Sequence, residues 1–238
     1  MNPYHITRAK IDTIVERKIE EFYKDPQKAL RKLMSSEYVF SSGRFQMPVF
    51  SVLQHLTAKD DSQFFVTLEH ILKQTSHSAI KNFSINLAYN SWTCGAQEIR
   101  KNSLKAGYNI PWITTFRWNP EYNQGITPKT MDRLINDGNK IGIFSFCIRQ
   151  EKPFPISGDI FELFAKHPDC TFFWFIPDQS LAPIHLDMIK KCENLLAVLD
   201  GDGSNCLRNS YGLKCRKTLY GTYHTYSSFD TSLLRDEL

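Results

Sequence analysis

From residue 109 onward the chain alternates between two patterns. Near-continuous apolar runs (PWITTF, IGIFSFCI, CTFFWFI and LLAVLD) are separated by TPKTMDRLINDGNK, SGDIFELFAKH and LAPIHLDMIKKC, which carry helical periodicity. A strand buried on both faces needs apolar side chains at nearly every position, whereas a strand with one wet face alternates. Such runs spaced by amphipathic helices predict parallel βαβ units. A fifth run, TLYGTYHTY, follows a segment that reads as turns, GDGSNCLRNSYGLK. Five strands cannot close an eight-stranded barrel. The expected fold class is therefore α/β: a partial (β/α) barrel or open sheet of about five mainly parallel strands, preceded by an all-helical part.

That leading part, residues 1–82, reads as helices throughout. TRAKIDTIVERKIEEFYKD puts Ile11, Ile14, Val15, Ile19 and Phe22 on one stripe. Asp25 is an N-cap with Pro26 at the first helical position of PQKALRKLMSS, and a turn is expected around Ser41, Ser42 and Gly43. MPVFSVLQHLTA and DSQFFVTLEHILKQTS follow as two more amphipathic helices. The second part, residues 83–238, opens with another helix that stops at Gly107. Within it Thr127 is read as an N-cap and Pro128 as the first helical residue.

Charge and composition exclude several functions. A net charge of +4, with acids and bases interleaved as in ERKIEEFYKDPQKALRK, gives no nucleic-acid footprint. No apolar run approaches the length of a membrane span. The start, MNPYHITRAKID, lacks the pattern of a signal peptide, so the terminal RDEL reads as chance and a cytoplasmic protein is expected. Six cysteines stand at wide, uneven spacings with no Cys-x-x-Cys pair, as expected of reduced thiols. Cys147 and Cys170, inside apolar runs, read as core. His55 and His70 fall on helices with no ligand spaced to join them in a metal site.

In a sheet of βαβ units, ligands sit at the carboxyl ends of the strands. The loop after PWITTF holds Arg117, Trp118, Asn119, Pro120, Glu121, Tyr122, Asn123 and Gln124, with no cysteine, histidine or glycine-rich turn. Together with the segments around it, this loop carries a resemblance. NIPWITTF, LINDGNKIGIFSF, FELFAKHPDCTFFWF, NLLAVLDGDG and LYGTYHTYSS stand in the order of the strands and helices of the radical S-adenosylmethionine (radical SAM) superfamily. They are most similar to bacterial members with a PW pair in the first strand, and the resemblance spans residues 83 to 228.

The departures from that family pattern bear on function. The family's first loop carries Cys-x-x-x-Cys-x-x-Cys, which holds a [4Fe–4S] cluster; here RWNPEYNQGI is shorter and has no cysteine. Three thiolates cannot be restored by one cysteine elsewhere, so cluster-dependent radical chemistry is not expected. A cluster assembled from Cys147, Cys170, Cys206 and Cys215 is the remaining route to iron. The family's GGEP, whose backbone lies near the cofactor amine, is Gln150-Glu151-Lys152-Pro153, and its TNGT is Pro177-Asp178-Gln179-Ser180. Only Asp202-Gly203 resembles the later acidic site.

The resemblance thus implies a catalytically degenerate relative, a pseudoenzyme that has lost its iron–sulfur site. It would act as a binding or accessory subunit for a protein or peptide, or self-associate through the last strand. Tyr220, Tyr223 and Tyr226 are the candidate contacts there, with Trp118, Tyr122 and Trp174 as further aromatics near strand ends. The alternative is a small-ligand binding protein, or a non-radical enzyme, using the remnant cavity. Its candidate lining is Arg117, Glu121, Arg149, Glu151, Lys152, Asp178, Asp200 and Asp202, whose mixed charges suit a zwitterion such as S-adenosylmethionine. No nucleophile–base pair can be assigned: His185 sits in a helical pattern and His224 stands apart. The DGDG turn at Asp200 to Gly203 is a weak metal or phosphate signal beside a tight turn.

Overall fold

The apolar runs form one sheet. In the computed structural model, which describes residues 3–35, 46–59, 62–121 and 125–226, the strands are β1 Ile113–Trp118, β2 Ser145–Gln150, β3 Thr171–Ile176, β4 Leu195–Asp200 and β5 Tyr220–Tyr223. They lie in the order β1-β2-β3-β4-β5, and every neighbouring pair is parallel. The LLAVLD run coincides with β4, whereas IGIFSFCI enters its strand only at Ser145. Its first residues belong to the turn that ends the preceding helix: Gly142 has φ +102° and the Ile143 N–H returns to the Gly138 carbonyl.

Between the strands run α7 Pro128–Lys140, α8 Asp159–Lys166, α9 Pro183–Lys191 and α10 Cys206–Cys215. Thr127 caps α7 as expected, its Oγ1 accepting from the Thr130 N–H at 3.2 Å, with Pro128 in the first turn. The segment GDGSNCLRNSYGLK, read as turns, instead contains α10. Its N-cap residue Asn205 makes no side-chain cap, and the start of the helix is fixed from outside by Asp178, a contact local sequence does not display.

The helices cover one face of the sheet, and the core lies between them. Phe116, Ile148, Trp174 and Ala197 form one row across β1 to β4, and all are buried. The rings of Phe116, Phe146 and Phe172 stack at 5.8 and 6.0 Å. Burying each side chain of this size contributes about 1.5–3 kcal/mol, so this face supplies much of the driving force.

The other face differs from the expectation of strands buried on both sides. Thr115, Arg117 and Arg149 are exposed, and Cys147, Phe173, Phe175 and Leu196 are half-buried. Cys147 therefore faces a partly open surface, while Cys170 is core as read.

The helical part is α1 Pro3–Lys24, α2 Pro26–Ser35, α3 Gln46–Leu56, α4 Gln63–Gln74 and α5 His77–Ser84, followed by a π-helical segment, Ile85–Gly95, and α6 Ala96–Ala106. Asp25 does cap α2, accepting from the Lys28 N–H at 2.9 Å. The turn expected around Ser41 to Gly43 lies outside the described residues. Gly107, at φ +76°, ends α6. Lys81 of α5 joins Asp12 and Glu16 of α1 at 2.7 and 2.9 Å. The division drawn at residues 82/83 falls inside the run of helix from His77 to Ala106.

This run crosses the amino ends of the strands. The i→i+5 bonding of the π segment widens its turns, and Asn86, Asn90, Ser91 and Gly95 fall together on a buried face. The Asn86 amide donates to the carbonyls of Pro168 at 2.7 Å and Cys170 at 3.0 Å, and Asn90 donates to that of Asp169 at 2.9 Å. Ser145 Oγ donates to Ser91 Oγ at 2.8 Å. Phe83 meets Phe173 edge-on at 5.7 Å, and the Ser76 N–H donates to the Lys217 carbonyl at 2.8 Å. The amino end of the second face is thereby closed, and only its carboxyl half is open.

Gly95 marks the tightest approach: a Cβ there would lie 2.4 Å from the Gly142 carbonyl oxygen and 2.8 Å from that of Asn90. Both obstacles are backbone, so the helix must move off the Gly142 turn and its own turn at Asn90 must open. We expect Gly95→Ala to cost about 2–3 kcal/mol. Gly107→Ala, which meets nothing within 4 Å but keeps a positive φ, should cost only about 1 kcal/mol. Urea denaturation midpoints of the two variants test the difference.

Candidate functional site

Strand register decides which charges converge. In β1 to β5 the row Arg117, Arg149, Phe175, Val198, Gly221 runs across the helix-free face near its carboxyl edge. One step further along the chain direction on the same face stand Glu151, Asp200 and Tyr223, of which Asp200 and Tyr223 are register partners. Two arginines thus sit side by side on adjacent strands, an arrangement that is repulsive unless anions compensate it. Glu151 compensates one: its Oε1 accepts from both Nε and Nη2 of Arg117. Arg149 is exposed and has no carboxylate within salt-bridge distance among the described residues.

Beside Arg149 the face turns aromatic and then acidic. Phe175 and Tyr223 meet at 5.7 Å with their planes at 62°, and Val198, between their strands, is buried. Burial and the neighbouring Asp200 push the Tyr223 hydroxyl above its usual pKa, and Arg149 pulls it back in part. Asp200 also accepts from the Asp202 N–H at 3.2 Å. Below this row lie Thr115, Cys147, Phe173 and Leu196. Burial pushes the Cys147 thiol up, so it is not a ready thiolate.

Of the eight charged residues read as cavity lining, four share this face: Arg117, Arg149, Glu151 and Asp200. The other four are engaged elsewhere. Lys152 and Glu121 pair with each other on the exposed rim. Asp202 pairs with His224 Nδ1 at 2.8 Å, which holds its carboxyl below the usual range.

Asp178 accepts from the N–H groups of Asn205 at 2.8 Å and Ser204 at 3.0 Å, and from both of their side chains. These bonds, the Asn205 N–H first, hold its carboxyl down to about 2. It is a clamp on the β4–α10 turn: a Cβ at Gly203 would lie 2.7 Å from its carboxyl carbon.

The aromatics read as interface anchors separate in the same way. Trp118 and Trp174 are buried in the core under the helices, and Tyr122 lies outside the described residues. Tyr220 faces the helix side and packs on the core, Tyr223 belongs to the open face, and Tyr226 is exposed beyond the strand. The three tyrosines therefore form no single stripe.

One feature was not visible in the sequence. A cleft of 450 Å³ opens on the helix side between the loops after β1 and β2, lined by Trp118, Pro120, Ile126, Pro128, Phe154 and Pro155. Trp118 and Phe154 meet edge-on there at 4.7 Å. Nearby, Gln150 is 3% exposed with its Oε1 unpartnered, and Trp174 Nε1 is likewise buried without a partner. The prolines and aromatics of this region were visible; their convergence needed the two loops to be placed side by side.

The four cysteines considered for a cluster are spread over the fold. Cys206 and Cys215 stand at opposite ends of α10, about 13 Å apart at 1.5 Å rise per residue. Cys170 is buried just before β3, donating to Asn139 at 3.3 Å, with its pKa raised to about 12 by burial. No helix among the described residues is long and apolar enough to cross a membrane. Comparison with protein-family models, curated proteins and solved structures yields no match.

The Asp178 clamp carries a pH signature. Its folded pKa lies below the value of an unfolded aspartate, so between about pH 4 and pH 2 the unfolded chain binds more protons and stability rises with pH. The contribution is complete above about pH 4 and vanishes as pH falls through the folded value. Asp178→Ala should flatten this part of the profile of unfolding free energy against pH, and the two profiles should converge near pH 2.

Proposed function

We propose that the chain is a binding protein built on a radical-SAM-type partial (β/α) barrel, without radical chemistry, whose ligand seat is the carboxyl half of the helix-free sheet face. Support for the architecture comes from the five quoted segments forming consecutive parallel strands in family order, with α7 to α10 on one face and the carboxyl half of the other face open. In a closed barrel the free face would be the interior. Loss of the cluster chemistry rests on the cysteine-free loop after β1 and on the distribution of the remaining thiols.

The observation that carries the ligand seat is the in-register pair Arg117 and Arg149, only one of which is neutralised among the described residues. A face that presents an uncompensated guanidinium beside aromatic rings and an aspartate has the few convergent polar groups of a binding site. S-adenosylmethionine is one candidate: its carboxylate suits Arg149, its adenine the rings of Phe175 and Tyr223, and the exocyclic amine of the adenine Asp200. An accessory role is compatible with this seat if the ligand is part of a peptide or partner protein. The second reading, association through the β5 edge, is favoured by one observation: β5 is the last strand of the sheet order, and no strand pairs with its outer side among the described residues.

Calorimetric titration of S-adenosylmethionine into protein purified without oxygen tests the first reading. We expect binding that Arg149→Ala abolishes with no change in the circular dichroism spectrum. Protein without thiolate–iron charge-transfer absorbance is expected in the same sample; stoichiometric iron would overturn the loss of cluster chemistry. If Tyr226→Ala and a proline at Thr222 disperse an oligomer while Arg149→Ala changes nothing, the edge reading replaces the ligand seat.

A further inference from the structure

The helix-free face has a polarity that restricts what it can hold. Its cationic side is on β1 and β2, where Arg117 is bound to Glu151 and Arg149 stands exposed with no carboxylate partner among the described residues. Its acidic side is on β4 and β5, where Asp200 is half-buried beside the Tyr223 hydroxyl. The strand between them, β3, presents Phe175, which is half-buried and set edge-to-face against Tyr223. Arg149 and Asp200 are thus two strands and two residues apart, about 12 Å at the backbone at 4.7–4.9 Å per strand and about 3.3 Å per residue. The helical run from His77 to Ala106 closes the amino end, so a ligand enters only from the carboxyl side.

We propose that this face binds an elongated ligand with an anionic group, a carboxylate or phosphate, at one end and a hydrogen-bond-donating amine at the other, separated by a flat apolar body. The anion takes the free donors of Arg149, whose planar fork matches two oxygens of either group. It also relieves the repulsion between the paired arginines. The apolar body lies over Phe175 against the edge of Tyr223, and the amine reaches Asp200. An isolated α-amino-acid head group is too short to touch both poles, because its carboxylate and amine share one carbon. This inference rests on reading the helix-free face as the ligand seat and names the class of ligand that fits it.

A graded series of probes tests it, followed by backbone amide shifts in the isotope-labelled full chain. The probes are inorganic phosphate, phenyl phosphate, tyramine phosphate and 4-(2-aminoethyl)benzoate. The expected order is inorganic phosphate weakest, phenyl phosphate tighter, and tyramine phosphate tightest by roughly tenfold, with shifts centred on Arg149, Phe175 and Asp200. The benzoate separates the two anions: whichever of it and tyramine phosphate binds more tightly identifies the anionic group.

Arg149→Ala should weaken the best probe at least tenfold, and Asp200→Asn should remove the advantage of the amine-bearing probes while sparing phenyl phosphate. Arg149 is exposed, so its replacement leaves the fold intact, and an unchanged amide spectrum verifies this. If all probes bind equally, or Arg149→Ala binds them as well as the parent protein, the proposal is overturned. If S-adenosylmethionine or another compound then shifts the same face independently of Arg149, the ligand seat survives and only the polarity fails. If nothing shifts that face, both are wrong.

Discussion

Everything open in this molecule depends on what is closed at its amino end. A parallel sheet with helices on one face leaves the other face to be covered, and here the cover is a helix widened by π bonding. Asn86, Asn90 and Ser91 meet the turns that lead into the strands. Each buried amide satisfies a turn carbonyl that would otherwise cost about 1–3 kcal/mol to leave unpaired. Gly95 lets the helix backbone reach Gly142. The interaction is polar and directional, so it fixes where the helix crosses as well as that it crosses. With the amino end sealed, the carboxyl half of the face becomes a surface with a floor.

That surface is shaped by register more than by residue type. Arg117 and Arg149 are thirty-two positions apart in the chain and become neighbours only because β1 and β2 pair in parallel with Ile113 opposite Ser145. A shift of one residue would put Arg149 among the core aromatics under the helices and turn Ile148 outward. The stacked rings of Phe116, Phe146 and Phe172 on the opposite face resist such a shift. Packing on the helix side therefore holds the polar geometry of the open side in place.

The acidic residues show how similar side chains acquire different roles. Asp178, Asp200 and Asp202 all follow strand ends and read alike in the sequence. Asp178 accepts from four donors of the β4–α10 turn, Asp202 pairs with His224, and Asp200 accepts from the Asp202 N–H. Bonding capacity already spent locally is not available to a ligand, which leaves Asp200 as the acid of the open face. Lys152 and Glu121 neutralise each other on the rim for the same reason.

The sequence by itself determined the alternation of strands and helices, the count of five strands and their parallel sense. Apolar runs bounded by caps such as Thr127 and Gly107 are local signals, and local chemistry is sufficient to produce them. It did not disclose α10, because the N–H groups at its start are held by a carboxylate twenty-seven residues earlier. Nor did it disclose the buried amides of the π segment, since Asn86 and Asn90 resemble solvated helix residues until strand ends are brought against them. Which face stays open, and which arginine on it lacks a counter-charge among the described residues, was decided only by tertiary structure. Those are properties of distance between strands and of competition for partners, and neither exists until the chain has folded.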